Sequence, residues 1–112
     1  MAEADPKLAQ QNSKHHFESA RSQLLDAFAA LEVEINRTTP DPENNAEIKS
    51  VSSIRNDIVH SQLKMLPGNP ACAIYLNSTS VSDDAPTARM MTLDQHKRLI
   101  VRLKALTAKI AN

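Results

Sequence analysis

The stretch Ile54-Arg55-Asn56-Asp57-Ile58-Val59-His60-Ser61 lies near the middle of the 112-residue chain. Val51, Ile54, Ile58, Leu63 and Leu66 keep helical spacing around it and predict one amphipathic helix running to about Leu66. Ser52, Asn56 and His60 recur at intervals of four and form a polar stripe beside that apolar face. Arg55 stands apart. Five residues before His60, at about 100° per residue, it lies roughly 140° away around the axis. A long arginine can curl back toward the imidazole, or a second chain can complete the site.

Arginine and histidine together suit work on a phosphodiester. Guanidinium presents forked donors to phosphate oxygens, and imidazole titrates near neutral pH. Asn56 adds an uncharged donor and acceptor on the histidine's face. The competing reading of the same residues is a solvated arginine and a surface histidine.

Arg55-Asn56-Asp57-Ile58-Val59-His60 resembles the R-x4-6-H signature of the HEPN superfamily, in which a polar residue commonly follows the arginine. The resemblance implies a small all-α domain with the motif toward the C-terminal part of a core helix. It further implies a metal-independent endoribonuclease, often found in toxin–antitoxin or phage-defence systems, with a site assembled from both motifs of a homodimer. Arg55, Asn56 and His60 are the matching positions. One toxin branch carries a tyrosine two residues after the histidine, where a partner enzyme attaches nucleotides. Here that position is Gln62, which speaks against regulation by tyrosine modification.

The length fits one domain, residues 1–112, with 1–12 read as a segment that can be flexible. Phe17, Phe28 and Tyr75 are the aromatic residues, so Leu, Ile, Val and Ala carry the packing and favour helix-on-helix layers. Thirteen basic residues balance thirteen acidic ones, which argues against a surface that coats nucleic acid but permits a local site. Cys72 is the single cysteine, so neither an intrachain disulfide framework nor a cysteine zinc site is expected. No cofactor and no metal are called for. No apolar run approaches the ~20 residues that span a bilayer, and Met1-Ala2-Glu3-Ala4-Asp5 lacks a signal-peptide pattern. The expected setting is soluble and cytoplasmic, without a membrane partner.

From Asp5 as N-cap and Pro6 at the first helical position, a first helix is expected over residues 6 to about 37. Phe17, Ala20, Leu24, Phe28, Leu31 and Ile35 form its buried stripe. His15 and His16 are adjacent, diverge around the helix and read as surface histidines. Thr38-Thr39-Pro40-Asp41-Pro42 stops this helix. A second begins at Asp41 with Pro42 as its first residue, or at Asn44 with Glu47 closing a capping box. Pro67-Gly68-Asn69-Pro70 ends it, and antiparallel to the first helix it sets Val51, Ile54 and Ile58 on the Phe17 to Leu31 stripe. Ala71 to Leu76 and Ala88 to Thr92 can pair as a small β-hairpin across a polar loop at 77–87. Cys72 within it reads as a packed residue. Thr92 and Gln95 then cap a last helix with Leu93, Leu99, Ile100, Leu103, Leu106 and Ile110 on its apolar face. Its other face carries Arg98 and Arg102, one turn apart, as weak candidates to hold a phosphate backbone beside the motif. His96 is a further imidazole that nothing ties to the motif.

The expected fold class is therefore all-α, a small antiparallel bundle of three main helices with a long loop or short β-hairpin between the second and third. The leading functional expectation is metal-independent RNA cleavage to a 2′,3′-cyclic phosphate by Arg55, Asn56 and His60, under an antitoxin or sensor partner. The rival is a non-catalytic helical dimer module that binds RNA, nucleotide or a protein partner.

Overall fold

The computed structural model describes residues 6–66, 69–77 and 87–111. In chain order they form α1 (Pro6–Arg37), a 3-10 turn (Pro42–Asn44), α2 (Asn45–Val59), β1 (Gln62–Leu66), β2 (Asn69–Asn77), β3 (Thr87–Thr92) and α3 (Leu93–Ala111). The strands make one antiparallel sheet in the order β1-β2-β3. This corrects the all-α expectation: three helices share the chain with a three-stranded sheet, and the fold is mixed α/β.

The correction turns on residues 60–66. Leu63 and Leu66 had extended a helical pattern from Ile58, yet the segment alternates, with Gln62 and Lys64 exposed and Leu63 and Met65 half-buried. The helix is closed by its own next residues. His60 leaves helical geometry at φ −93°, ψ 13°. Ser61 Oγ donates to the Ile58 carbonyl at 2.7 Å, and so takes an acceptor that a continuing helix would have filled. Released from α2, Leu63 lies opposite Tyr75 and Met65 opposite Ala73. Tyr75 in turn lies opposite Arg89, and Ala73 opposite Met91. These six residues share one face of the sheet, on which Ala73 and Tyr75 are fully buried.

That face completes a core shared with the helices. Leu24, Phe28 and Leu31 of α1, Val51 and Ile58 of α2, Tyr75 and Met91 of the sheet, and Leu99, Leu103 and Leu106 of α3 form one buried cluster. Phe17 meets His96 with ring centroids 5.5 Å apart, while farther along both helices Ala30 and Ala108 line a common groove. Residue numbers therefore rise together along α1 and α3, and the two helices run parallel. The Thr92/Gln95 capping box forms reciprocally. The Gln95 N–H donates to Thr92 Oγ1 at 3.1 Å and the Thr92 N–H to Gln95 Oε1 at 2.8 Å.

The start of α2 departs from expectation. A 3-10 turn opens behind Pro42, α2 follows from Asn45, and neither the Asp41 nor the Asn44 side chain caps. Glu47 does not close a box with Asn44 but takes Arg102 of α3 at 3.0 Å. The readings placed on Asp5, on Pro67-Gly68 and on loop residues 78–86 lie outside the described residues, as do residues 1–5 of the segment read as flexible. Among the described residues no helix is long and apolar enough to cross a membrane.

Candidate functional site

The last turn of α2 gathers more polar contacts than its sequence signature announces. Arg55 projects toward α1, where its Nε donates to Glu32 Oε1 at 2.6 Å, and its Nη1 donates to Asn56 Oδ1 at 3.3 Å. Asp57 turns the other way, toward the sheet. Its Oδ2 accepts from Arg89 Nε at 3.1 Å and Nη2 at 2.7 Å, a half-buried pair that ties α2 to β3. Ile58 is buried, and its carbonyl accepts from Ser61 Oγ, from the Ser61 N–H at 3.3 Å and from Arg21 Nη2 at 3.2 Å. A guanidinium at that carbonyl also suits the negative end of the helix dipole.

His60 sits just past these contacts. Its backbone N–H donates to the Asn56 carbonyl at 3.3 Å, and its side chain is exposed. Arg55, Asn56 and His60 thus lie in the last turns of one helix, Arg55 half-buried and Asn56 and His60 exposed, and among the described residues no side-chain hydrogen bond joins His60 to the other two. Arg55 is held by a carboxylate and an amide, and His60 stands open. A groove of ≈ 460 Å³ lies elsewhere, between α1 and α3.

The two weak candidates are not brought to the motif. Arg98 pairs with Asp94 one turn back on its own helix at 2.8 Å, and Arg102 reaches Glu47. Glu47 precedes Arg55 by eight residues, about 12 Å along the α2 axis, so Arg102 marks the opposite end of that helix. Among the described residues no group of three His, Cys, Asp or Glu side chains is placed to hold a metal ion.

A second polar arrangement lies inside the core. His96 is fully buried in the first turn of α3, its Nδ1 lies 2.7 Å from the Thr92 carbonyl and its Nε2 2.6 Å from Tyr75 Oη. The carbonyl can only accept, so Nδ1 carries the proton and Nε2 accepts from the Tyr75 hydroxyl. Burial lowers the imidazole's pKa, and the Thr92 hydrogen bond partly offsets it. Burial also pushes the Tyr75 phenol up to about 12, against the opposing pull of the nearby Arg21 charge. Burial therefore favours the neutral form of both groups.

Sequence reasoning missed Glu32, Asp57, Arg89 and the Tyr75–His96 pair as contacts. Asp57 and Arg89 could not be matched without the register that turns Arg89 inward. His96 carried a signal in its spacing: three and four residues before Leu99 and Ile100, it falls on the buried stripe of α3. Comparison of the chain with protein families, with curated proteins and with solved structures returns no match.

Proposed function

We propose that this protein is a metal-independent endoribonuclease of the HEPN type, working at the exposed end of α2. What supports the reading is one observation: Arg55, Asn56 and His60 occupy consecutive turns at a helix end, with the imidazole open to solvent. In the proposed reaction Arg55 holds the scissile phosphate and stabilises the charge that develops on it. The neighbouring ribose 2′-hydroxyl attacks in line and gives up its proton to His60. The bond from phosphorus to the 5′-oxygen breaks, and that oxygen leaves with a proton from water or from a second imidazole. Asn56 orients His60 or holds the phosphate, and its side-chain oxygen accepts from Arg55 Nη1 at 3.3 Å. The product carries a 2′,3′-cyclic phosphate, and control by an antitoxin or sensor protein belongs to the same reading.

A second reading is favoured by the 2.6 Å contact between Arg55 and Glu32. An arginine already neutralised can serve to pin α2 to α1 in a helical module that binds RNA or a protein and cuts nothing. RNA cleavage in the presence of chelator decides between them. The nuclease reading expects the wild type to cut and both Arg55→Ala and His60→Ala to fail with the fold intact. Wild type and variants that bind RNA alike without cutting establish the module.

A further inference from the structure

Among the described residues three guanidinium groups meet at the last turns of α2, and two carboxylates answer them. Glu32 takes Arg55 at 2.6 Å, and Asp57 takes Arg89 at 2.7 Å. Arg21 comes in from α1 as the third, and among the described residues it forms no ion pair. Its Nη2 donates to the Ile58 carbonyl at 3.2 Å, and its Nε is buried without a partner. That carbonyl is crowded. The Ser61 N–H and Oγ aim at the same oxygen, so three donors share two lone pairs. One positive charge and one donor are therefore left over, two residues before the exposed ring of His60. Arg21 is half-buried rather than sealed, so solvent can reach it.

We infer that Arg21 binds a phosphate of the RNA backbone beside His60, in addition to the contact assigned to Arg55. This role rests on the function proposed above and falls to a residue outside its signature. The need for it comes from the helix end. The C-terminus of α2 carries the equivalent of about half a negative charge, which by itself turns a phosphate away from the imidazole. A whole guanidinium charge at that end reverses the sign, with about half a unit to spare. Tyr75 lies near enough to feel the Arg21 charge, but its phenol, pushed up to about 12, brings no negative charge to it near neutral pH.

Arg55 is less able to supply that charge, because a phosphate must first compete with Glu32 for it. Arg21 needs no such exchange. It gives up at most its share of a carbonyl whose two Ser61 donors remain. Its position also bypasses the roughly 140° that separates Arg55 from His60 around α2, since the carbonyl it takes belongs to the turn that ends in His60.

Binding of a 2′-O-methylated RNA decamer, which offers phosphates but no attacking hydroxyl, tests this role apart from cleavage. Affinity is followed against salt by fluorescence anisotropy, where each phosphate contact on a single strand contributes about 0.7 to the slope of log K against log salt. Arg21→Gln, whose amide can still donate to the Ile58 carbonyl, should lower the slope by about 0.7 and weaken binding about fivefold or more at low salt. Arg21→Lys, the milder change, keeps the charge and should keep the slope. Arg98→Gln alters net charge equally at a residue paired on its own helix, and should stay within about twofold of the wild type. Circular dichroism checks the fold of each variant. A wild type that does not bind the decamer, an unchanged slope in Arg21→Gln, an equal loss in Arg98→Gln or a folded Arg21→Lys without the slope overturns the role. A wild type that leaves ordinary RNA uncut, while Arg21→Gln still loses its share of the slope, overturns the nuclease reading and leaves the phosphate contact standing.

Discussion

His96 and His60 occupy opposite kinds of helix end in the same small protein, and their surroundings differ in almost every respect. His96 lies in the first turn of α3, fully buried, with both ring nitrogens bonded and Phe17 against its edge. His60 caps the end of α2 with its ring in solvent. A buried imidazole with a fixed tautomer and a depressed pKa is a structural hydrogen-bonding piece. An exposed one beside an arginine and an amide is placed to meet a substrate. The contrast teaches that the histidine which matters most for stability and the one proposed for chemistry are different residues.

The sharpest way to break that contrast is to remove each ring in turn. His96→Ala leaves a cavity and strands both the Tyr75 hydroxyl and the Thr92 carbonyl, so a loss of about 3 kcal/mol is expected in urea unfolding. His60→Ala should stay within about 0.5 kcal/mol of the wild type. Equal losses in the two variants would erase the distinction.

Acid and base titration of stability sharpens the buried half of the comparison. The folded His96 has a lowered pKa, so below the ordinary imidazole value of about 6.5 the unfolded chain binds a proton that the folded chain refuses. Its contribution is complete above that pH and is lost as pH falls beneath it. Tyr75, pushed up to about 12 from 10.0, behaves in the opposite sense. Stability should decline as pH rises from 10 toward 12, by roughly 2 kcal/mol for such a shift. Unfolding midpoints across pH check both limbs, and His96→Gln should flatten the acid one. An unchanged acid limb in that variant would assign it to carboxylates.

The smallest expected effect lies at the open end of α2. Glu32→Gln frees the Arg55 guanidinium, and binding of a short RNA should tighten by about two- to fivefold while stability changes by less than about 1 kcal/mol. Glu34, paired with Arg37 at 2.8 Å on the same helix, supplies the control, since Glu34→Gln alters net charge equally and leaves Arg55 untouched. Equal tightening in both variants would reduce the effect to general charge.

Much of the helical architecture was legible because burial repeats along it. Phe17, Leu24, Phe28 and Leu31 fixed α1, and Thr92 with Gln95 marked the first turn of α3 through a local hydrogen-bond exchange that needs no knowledge of the fold. The segment after His60 can be taken for helix because Leu63 and Leu66 are three apart, yet the five residues from Ile58 to Leu63 leave the helical face, while Leu63 and Met65 keep strand steps. What settled the matter was pairing with β2, a contact between residues distant in sequence. The candidate site divides in the same way. Arg55, Asn56 and His60 are neighbours along the chain and could be named from it. Glu32, Arg21 and Arg89 reach the same helix turn from α1 and β3, and only packing brings them there.

End-group analysis of RNA incubated with the purified protein and excess chelator reads the chemistry proposed for Arg55 and His60 itself. The wild type is expected to leave fragments ending in 2′,3′-cyclic phosphate, and His60→Ala to leave the RNA intact. Intact RNA with the wild type, cleavage that needs magnesium, or fragments that persist in His60→Ala would contradict it.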